Sequence, residues 1–292
     1  MTTNTTTTTP AAAAGTWKLG SFEVNRLGFG AMRLMSTSDG GIRSRETAIA
    51  VLRRAVELGV NHIDTAVFYF AGPRSANELI NTALAPYENL TITTKVGPGR
   101  DFTGAFYTAR PDQLRAQVEE NLRELGLDHL DVANYRIGEG LDRGEGSLAD
   151  GFGALAELRE EGLIRELGIS NVAPHHLTEA LEIAPVVCVQ NQYGLTARRE
   201  DDEIVRMCAE RGIAFVPFFA VASGQGEDER VAAVARRHDA TPAQVRLAWT
   251  LHQGPHVLAI PGTGDVAHLE QNVAAAALEL TADDLATLDA KG

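Results

Sequence analysis

Cysteine is scarce in this chain of 292 residues, which contains two, Cys188 and Cys208. Two cysteines are too few for a disulfide framework, and their apolar surroundings favour small buried side chains over a redox pair. Long apolar runs are also missing, since none approaches the roughly 18 residues that a membrane helix needs. The first residues are polar and threonine-rich, unlike a signal peptide. These absences predict a cytoplasmic protein without a membrane segment.

Positive charge is the second deficit. The chain has 26 lysines and arginines against 39 acidic residues, a net charge of −13. This balance makes nucleic acid a poor partner.

Several motifs are absent as well. No His, Cys or Asp cluster has metal-ligand spacing, so no metal is expected. There is neither a G-x-S-x-G motif for acyl transfer nor a G-x-G-x-x-G after a strand. The oligomeric state is left open.

The chain divides into a short tail and one domain. Residues 1–15 are rich in threonine and alanine and are predicted to be disordered. Residues 16–292 are predicted to form a single domain, since a composition that is 44% hydrophobic supplies one large core. Within it, residues 17–23 predict a short β-hairpin that covers the bottom of the domain.

Strand-like and helix-like segments alternate from residue 24 onward. Apolar runs predict strands at 26–30, 61–66, 90–96, 130–137, 164–171, 186–193, 213–218 and 257–262. Amphipathic patterns predict helices at 45–58, 76–85, 111–125, 148–161, 174–183, 202–211, 242–252, 267–278 and 282–290. Eight β-then-α units predict an α/β fold, a (β/α)8 TIM barrel in preference to an open doubly wound sheet.

Charged residues stand at the same end of three predicted strands. Asp64 ends the second strand, Lys95 ends the third, and Arg136 lies near the end of the fourth. A buried unpaired charge is costly, so we expect these side chains to meet. Tyr69 follows Asp64 in the adjoining loop. Because an ammonium group stabilises a nearby phenolate, Lys95 is expected to lower the pKa of Tyr69, which suits a proton donor for carbonyl reduction.

Longer motifs resemble the aldo-keto reductase family from about residue 24 to residue 288. They are Gly-Val-Asn-His-Ile-Asp-Thr-Ala at 59–66, Thr-Lys-Val-Gly at 94–97, Gly-Ile-Ser-Asn-Val at 168–172, Val-Gln-Asn-Gln-Tyr at 189–193 and Ile-Pro-Gly-Thr at 260–263. Within the family the chain is most similar to the pyridoxal reductase branch. The motifs for this are Asn-Arg-Leu-Gly-Phe-Gly-Ala-Met at 25–32, Leu-Asp-Val-Ala-Asn-Tyr-Arg-Ile at 130–137 and Ala-Phe-Val-Pro-Phe-Phe at 214–219.

The resemblance implies NADPH-dependent reduction of an aldehyde or ketone, with pyridoxal as a candidate substrate. The family's acid, tyrosine, lysine and histidine positions fall on Asp64, Tyr69, Lys95 and Arg136, so an arginine replaces the histidine. Such an arginine fits a phenolate or carboxylate beside the substrate carbonyl. The resemblance also implies the cofactor-binding residues: Ser170, Asn171 and Gln190 at the carboxamide, Phe215 stacked on the nicotinamide, Phe218 beside the cofactor, and Gly262, Thr263, His268, Gln271 and Asn272 at the adenosine.

Two features bear on the cofactor. His268 is the basic candidate near the adenosine phosphate in the stretch that follows the last strand. Because histidine gains its charge only toward acid pH, the affinity for NADP is expected to strengthen there. NADPH is nevertheless favoured over NADH. The loop at 220–226 is unusual for the family, and its glycines could bring backbone N–H groups to the pyrophosphate.

Three functions remain open from the sequence. The first is an NADPH-dependent reductase acting on pyridoxal or another carbonyl. The second is the same chemistry on a biosynthetic ketone or a sugar. The third is a barrel that binds NADP(H) as a sensor without turnover. The presence of Asp64, Tyr69 and Lys95 argues against the third.

Overall fold

The computed structural model describes residues 9–37, 39–100, 105–196, 199–221 and 228–290. Residues 1–8 of the predicted tail and 222–226 of the unusual loop lie outside these ranges. The prediction of disorder is wrong for Pro10–Ala14, which forms a 3₁₀-helix. Ala11 is fully buried there, and its N–H donates to the carbonyl of Leu58 at 3.0 Å. Small alanine side chains allow this close packing.

Strands and helices alternate along most of the chain. The strands are β1 (Thr16–Leu19), β2 (Phe22–Asn25), β3 (Phe29–Gly30), β4 (His62–Asp64), β5 (Phe70–Ala71), β6 (Arg74–Ser75), β7 (Thr91–Val96), β8 (Pro98–Arg100), β9 (Phe106–Thr108), β10 (Leu130–Arg136), β11 (Ile164–Ser170), β12 (Cys188–Gln190) and β13 (Ala214–Phe215). The helices are α1 (Arg45–Glu57), α2 (Ala76–Leu84), α3 (Pro111–Leu125), α4 (Ala149–Glu160), α5 (Pro174–Ile183), α6 (Asp202–Arg211), α7 (Glu229–Arg237), α8 (Pro242–His252), α9 (Val266–Ala274) and α10 (Ala282–Asp289). In the described ranges, no helix is long and apolar enough to cross a bilayer.

Helix boundaries follow local sequence signals. Ser44 begins α1 by accepting a hydrogen bond from the N–H of Thr47 at 3.1 Å. Thr241 does the same for α8, accepting from Gln244 at 3.2 Å, and a proline follows it. The predicted bounds of α1, α3, α5, α6 and α8 therefore agree with the structure to within one residue. Helix α7 is not among the predicted helices, and it begins at Glu229, shortly after the glycine-containing segment at 220–226.

A parallel sheet forms the centre of the fold. Among the described residues, seven strands pair in the order β13-β12-β11-β10-β7-β4-β3. Each pair in this sheet is parallel, as expected for strands joined by helical crossovers. The α/β architecture predicted from the sequence is confirmed.

The predicted eighth strand, 257–262, makes only isolated bridges in the described structure. Ala259 bridges Leu27 beside β3, and Val257 bridges Phe215 of β13. The N–H of Leu258 also donates to the carbonyl of Phe215 at 2.9 Å. This segment therefore bonds to both edges of the sheet, although it forms no ladder. An apolar run predicts that a segment is buried, but it does not predict how many of its residues form hydrogen bonds to a neighbouring strand. Several observed strands are therefore shorter than expected.

Two apolar layers flank the sheet. The larger lies between the strands and the helices. The smaller lies on the other face of the sheet and includes Leu19 and Val24 of the β1–β2 hairpin, packed with Val132, Cys188 and Ala214. The hairpin thus covers one end of the sheet, as predicted.

The strand register aligns the predicted site residues at one end of the sheet. Asp64 pairs with Thr93. Because side chains two residues apart point to the same face of a strand, Lys95 lies on the same face as Asp64, two residues nearer the carboxyl end. Arg136 pairs with Ser170, and Ser170 pairs with Gln190. Carboxyl ends of parallel strands are where active sites form in such folds.

Candidate active site

A buried ion pair lies at the centre of the site. The ammonium group of Lys95 donates to Asp64 Oδ1 and, at 3.1 Å, to the carbonyl of Thr65. The two side chains are only 3% and 5% exposed. Burial lowers the pKa of Lys95, but the charge of Asp64 and the nearby Tyr69 phenol outweigh it, so the pKa lies above its ordinary value. Lys95 therefore remains charged at neutral pH.

Tyr69 lies beside this ion pair. The Lys95 Nζ is 4.9 Å from the centroid of its ring, and Phe68 packs edge-on against it with centroids 5.2 Å apart. Burial raises the pKa of the Tyr69 phenol, and the opposing effect of Lys95 is smaller, so the pKa is above its ordinary value. The expected net lowering is therefore wrong, because desolvation of the phenolate outweighs the ammonium charge. Tyr69 is a protonated hydroxyl at neutral pH.

Arg136 adds a second cation at the end of β10. Its Nη1 donates to Ser170 Oγ at 3.3 Å, and its Nη2 donates to the carbonyl of Gly140 at 2.5 Å. The guanidinium carbon lies 5.2 Å from the ring centroid of Phe218, a distance typical of a cation–π contact. These contacts hold the planar guanidinium at the wall of the cavity.

Gln190 joins the predicted cofactor residues to the ion pair. Its Nε2 donates to Asp64 Oδ2 at 2.7 Å. Its Oε1 is buried and has no hydrogen-bond partner among the described residues. Asn171 is arranged differently, because its Nδ2 donates to the carbonyls of Ile137 and Asp142, which orders the loop after β10. Gln190 Oε1 is therefore a buried acceptor without a described partner, and neither Gln190 nor Asn171 lines the cavity.

The ion pair, Tyr69 and Arg136 border a cavity of about 760 Å³. The predicted site residues that line it are Asp64, Tyr69, Lys95, Arg136, Phe218 and Gly262. The other lining side chains are mostly apolar and include Met32, Met35, Phe68, Phe70, Tyr107, Leu141 and Phe219. Sequence reasoning missed Met32, Met35 and Phe219, since residues in irregular segments have no periodicity that predicts where they point.

Phe215 does not line the cavity. It is fully buried in the layer between sheet and helices, with its ring edge-on to Tyr193 at a centroid distance of 5.5 Å. Its predicted stacking on the nicotinamide is therefore wrong. Side chains alternate along a strand, so the aromatic on the cavity side is Phe218, three residues later.

The predicted adenosine-binding residues lie outside the cavity proper, apart from Gly262. They follow the cavity wall into the first turns of α9: Thr263, His268, Gln271 and Asn272. Asp265 caps this helix by accepting from the N–H of His268 at 2.9 Å. The imidazole of His268 is 69% exposed. The segment is thus an extension of the cavity rather than a part of it.

The arrangement combines a protonated phenol, a buried ammonium and a guanidinium around one cavity. These are the groups needed to give a proton to a developing alkoxide and to stabilise negative charge beside it. Within the described ranges, no group of three or more His, Cys, Asp or Glu side chains is placed to hold a metal ion. The Tyr69, Lys95 and Arg136 side chains offer acid–base and electrostatic chemistry.

Known proteins are similar to this chain over almost all of its length. It is 46% identical to pyridoxine 4-dehydrogenase of Escherichia coli over 95% of this chain and 98% of that protein. Among solved structures, a thermostable aldo-keto reductase bound to the inhibitor epalrestat is 30% identical with a TM-score of 0.79, covering 94% of this chain and 98% of that one.

A second solved structure, an aldo-keto reductase from Klebsiella pneumoniae in complex with NADPH, is 26% identical with a TM-score of 0.75. The match covers 91% of this chain and 90% of that one. The model of the Aldo/keto reductase family matches residues 26–292. The chain therefore belongs to the aldo/keto reductase family.

Proposed function

We propose that this protein uses NADPH to reduce the aldehyde of pyridoxal, or of a closely similar aromatic aldehyde, to an alcohol. The observation that carries the proposal is the grouping of Tyr69, the Lys95–Asp64 ion pair and Arg136 around one cavity. We place this site on a closed eight-stranded barrel, in which the segment 257–262 completes the ring by bonding to both sheet edges. A cytoplasmic location fits the two free, buried cysteines.

The residues present fit a nicotinamide cofactor. Gln190 lies behind the cavity lining, and its buried Oε1, which lacks a partner among the described residues, is the acceptor that the resemblance assigns to the carboxamide NH2 group. Phe218 would offer its ring to the nicotinamide face, next to Arg136. When bound, the reduced nicotinamide supplies a hydride to the carbonyl carbon.

Tyr69 supplies the proton. Tyr69 lines the cavity, and its hydroxyl remains protonated because burial raises its pKa. As the carbonyl oxygen gains negative charge it takes the phenolic proton, and the Lys95 ammonium stabilises the phenolate left behind. Asp64 keeps that ammonium charged and, together with the Thr65 carbonyl, holds it beside the ring.

Arg136 and the apolar lining favour an aromatic substrate with an acidic substituent. An arginine remains charged and presents a planar fork of donors to an anion such as a ring phenolate. The cavity wall is otherwise mostly apolar, with Met32, Met35, Phe70 and Phe219 contributing to it. A sugar would leave many hydroxyl groups without hydrogen-bond partners on such a wall. The hypothesis of a sugar substrate therefore fits this cavity less well than that of an aromatic aldehyde.

The test is NADPH oxidation with pyridoxal, run beside simple aldehydes, ketones and sugars. Tyr69→Phe is the matched control, since it removes one oxygen and keeps the ring. General acid catalysis of this kind accounts for about 10²- to 10⁴-fold in rate, so turnover should fall by that amount. Binding of NADPH should be unchanged in this variant.

The other outcomes separate the alternatives. Turnover of sugars or ketones but not of pyridoxal would keep the mechanism and replace the substrate. Tight NADPH binding with no turnover on any carbonyl would favour the sensor hypothesis over an enzyme. Equal turnover by wild type and Tyr69→Phe would reject Tyr69 as the proton donor.

A further inference from the structure

Two buried threonines flank the ion pair in the sequence and face away from the cavity. Thr65 follows Asp64 and Thr94 precedes Lys95, so side-chain alternation directs both toward the layer between the sheet and the helices. Both threonines are fully buried there. Most of this layer is apolar. A polar group in such a place costs free energy unless it is hydrogen-bonded, so the partners of the two hydroxyl groups define what they do.

The partners are two asparagines, one on helix α2 and one on helix α3. Thr65 Oγ1 donates to Asn77 Oδ1 at 2.7 Å, and Thr94 Oγ1 donates to Asn121 Oδ1 at 2.7 Å. Asn77 Nδ2 donates to Asn121 Oδ1 at 3.0 Å and so connects the two bonds. Both asparagines are fully buried as well. Thr65, Asn77, Asn121 and Thr94 thus form one asparagine network behind the ion pair.

Helix α2 connects this network to the ammonium and to the proton donor. The carbonyl of Thr65 accepts from the Lys95 ammonium at 3.1 Å, so the residue held by Asn77 also supplies an acceptor to Lys95. The N–H of Ala76, which precedes Asn77, donates to the carbonyl of Tyr69 at 2.9 Å. Asn77 therefore fixes the start of α2, and the start of α2 fixes the backbone of Tyr69.

Helix α3 holds strand β7 on both sides of Lys95. Asn121 binds Thr94, directly before the lysine. One turn earlier in the helix, Gln117 Oε1 accepts from the N–H of Gly97 at 2.7 Å, two residues after the lysine. The Nδ2 of Asn121 donates to the Gln117 carbonyl at 2.9 Å, which fixes the asparagine itself. A buried network in which each side chain is hydrogen-bonded makes the surrounding structure rigid.

We propose that Asn77 and Asn121 are positioning residues for proton transfer, because they hold the Lys95 ammonium at the distance from Tyr69 at which it stabilises the phenolate. This rests on the proposed function, since it requires Tyr69 to be the proton donor. Neither asparagine lines the cavity, so their effect reaches the reaction through Thr65, Thr94 and the start of α2. A displacement of about 1 Å in a catalytic group can slow a reaction by roughly 10²-fold.

The experiment is steady-state kinetics of the whole protein with NADPH and an aldehyde that the wild type reduces. Thr65→Val keeps the side-chain shape and removes the hydroxyl, so kcat should fall about 10- to 100-fold while KM and the Kd for NADPH stay within about twofold. Thr65→Ser keeps the hydroxyl and should recover most of the activity. Thr94→Val and Asn77→Leu should lower kcat in the same way. Thr250→Val is the matched control, because it removes a buried hydroxyl in α8 that donates to the Arg246 carbonyl at 2.8 Å, and its kcat should be unchanged.

The pH profile separates positioning from a loss of stability. A general acid must be protonated, so kcat/KM is lost as pH rises through the pKa of Tyr69. Burial raises this pKa and Lys95 lowers it, with smaller effects from Asp64, which raises it, and Arg136, which lowers it. If Lys95 moves away in Thr65→Val, its contribution falls and the pKa of Tyr69 rises further. The alkaline limb should therefore move to higher pH, whereas a variant that is only less stable keeps the limb of the wild type.

Three results would overturn the inference: wild-type kcat in Thr65→Val and Thr94→Val, an equal loss of kcat in Thr250→Val, or a loss in Thr65→Val that Thr65→Ser shares and that leaves the alkaline limb in place. The two valine variants keep the side-chain shape, so they decide the matter if Asn77→Leu does not fold. If Tyr69→Phe abolishes turnover and the valine variants retain it, only this inference fails. If the wild type reduces no carbonyl, the proposed function itself fails.

Discussion

Asp64→Asn should destabilise the protein in a manner that depends on pH. The substitution keeps the shape of the side chain and removes the negative charge. Lys95 would then remain buried with the carbonyl of Thr65 as a backbone acceptor and no opposite charge at position 64. Breaking one side of a buried ion pair typically costs about 3–5 kcal/mol, which corresponds to a fall in Tm of roughly 10 °C for a chain of this size.

The pH dependence follows from Lys95. In the wild type its folded pKa is raised, so its stabilising contribution is fully present below the unfolded value of about 10.4 and is lost only as pH rises through the folded value. In Asp64→Asn, burial without a counter-charge lowers the folded pKa below 10.4. The unfolded state then binds more protons, so the variant gains stability as pH rises toward 10.4. The difference from wild type should therefore narrow between pH 7 and pH 9.5.

The assay is chemical denaturation and thermal unfolding of both proteins over this pH range. The double variant Asp64→Asn with Lys95→Met should recover much of the loss, since no buried charge remains. Glu270→Gln is a surface control, because it breaks the exposed pair between Glu270 and Arg54 and should leave Tm unchanged. A penalty below about 1 kcal/mol, or one that stays constant with pH, would refute the reasoning.

Further predictions concern substrate, backbone, histidine and cysteine. Arg136→Met should lower kcat/KM for 2-hydroxybenzaldehyde about 10- to 100-fold more than for benzaldehyde, because only the former offers a phenolate; equal losses would contradict this. Gly97→Ala should lose about 1–3 kcal/mol in denaturation, since Gly97 has φ +117° and a Cβ would lie 2.2 Å from the Arg136 carbonyl. Burial lowers the pKa of His62 to about 4, so stability should fall as pH drops from about 6.5 toward 4, and His62→Gln should flatten that acid limb. Burial raises the pKa of Cys208 to about 12 and that of Cys188 as well, so native protein should react slowly with a thiol reagent and fast only in denaturant.

The sequence determined the features that depend on local pattern and those in which burying an unpaired charge would cost much free energy. Strand and helix periodicities predicted the α/β architecture and the bounds of helices such as α3 and α8. The Lys95–Asp64 pair was predictable too, because a charge at the end of an apolar strand must find a partner when it is buried. These inferences need only short-range pattern and the cost of burial.

Tertiary structure decided which way side chains point, which distant segments touch, and which of two opposing effects on a pKa is larger. It turned Phe215 into the helix layer and Phe218 toward the cavity, and it brought Arg43 against Gly264 from a distant loop. It also decided the sign of the Tyr69 pKa shift, because desolvation and the Lys95 charge oppose each other and only their geometry shows which is larger. No local pattern contains these quantities, since each depends on where the rest of the chain lies.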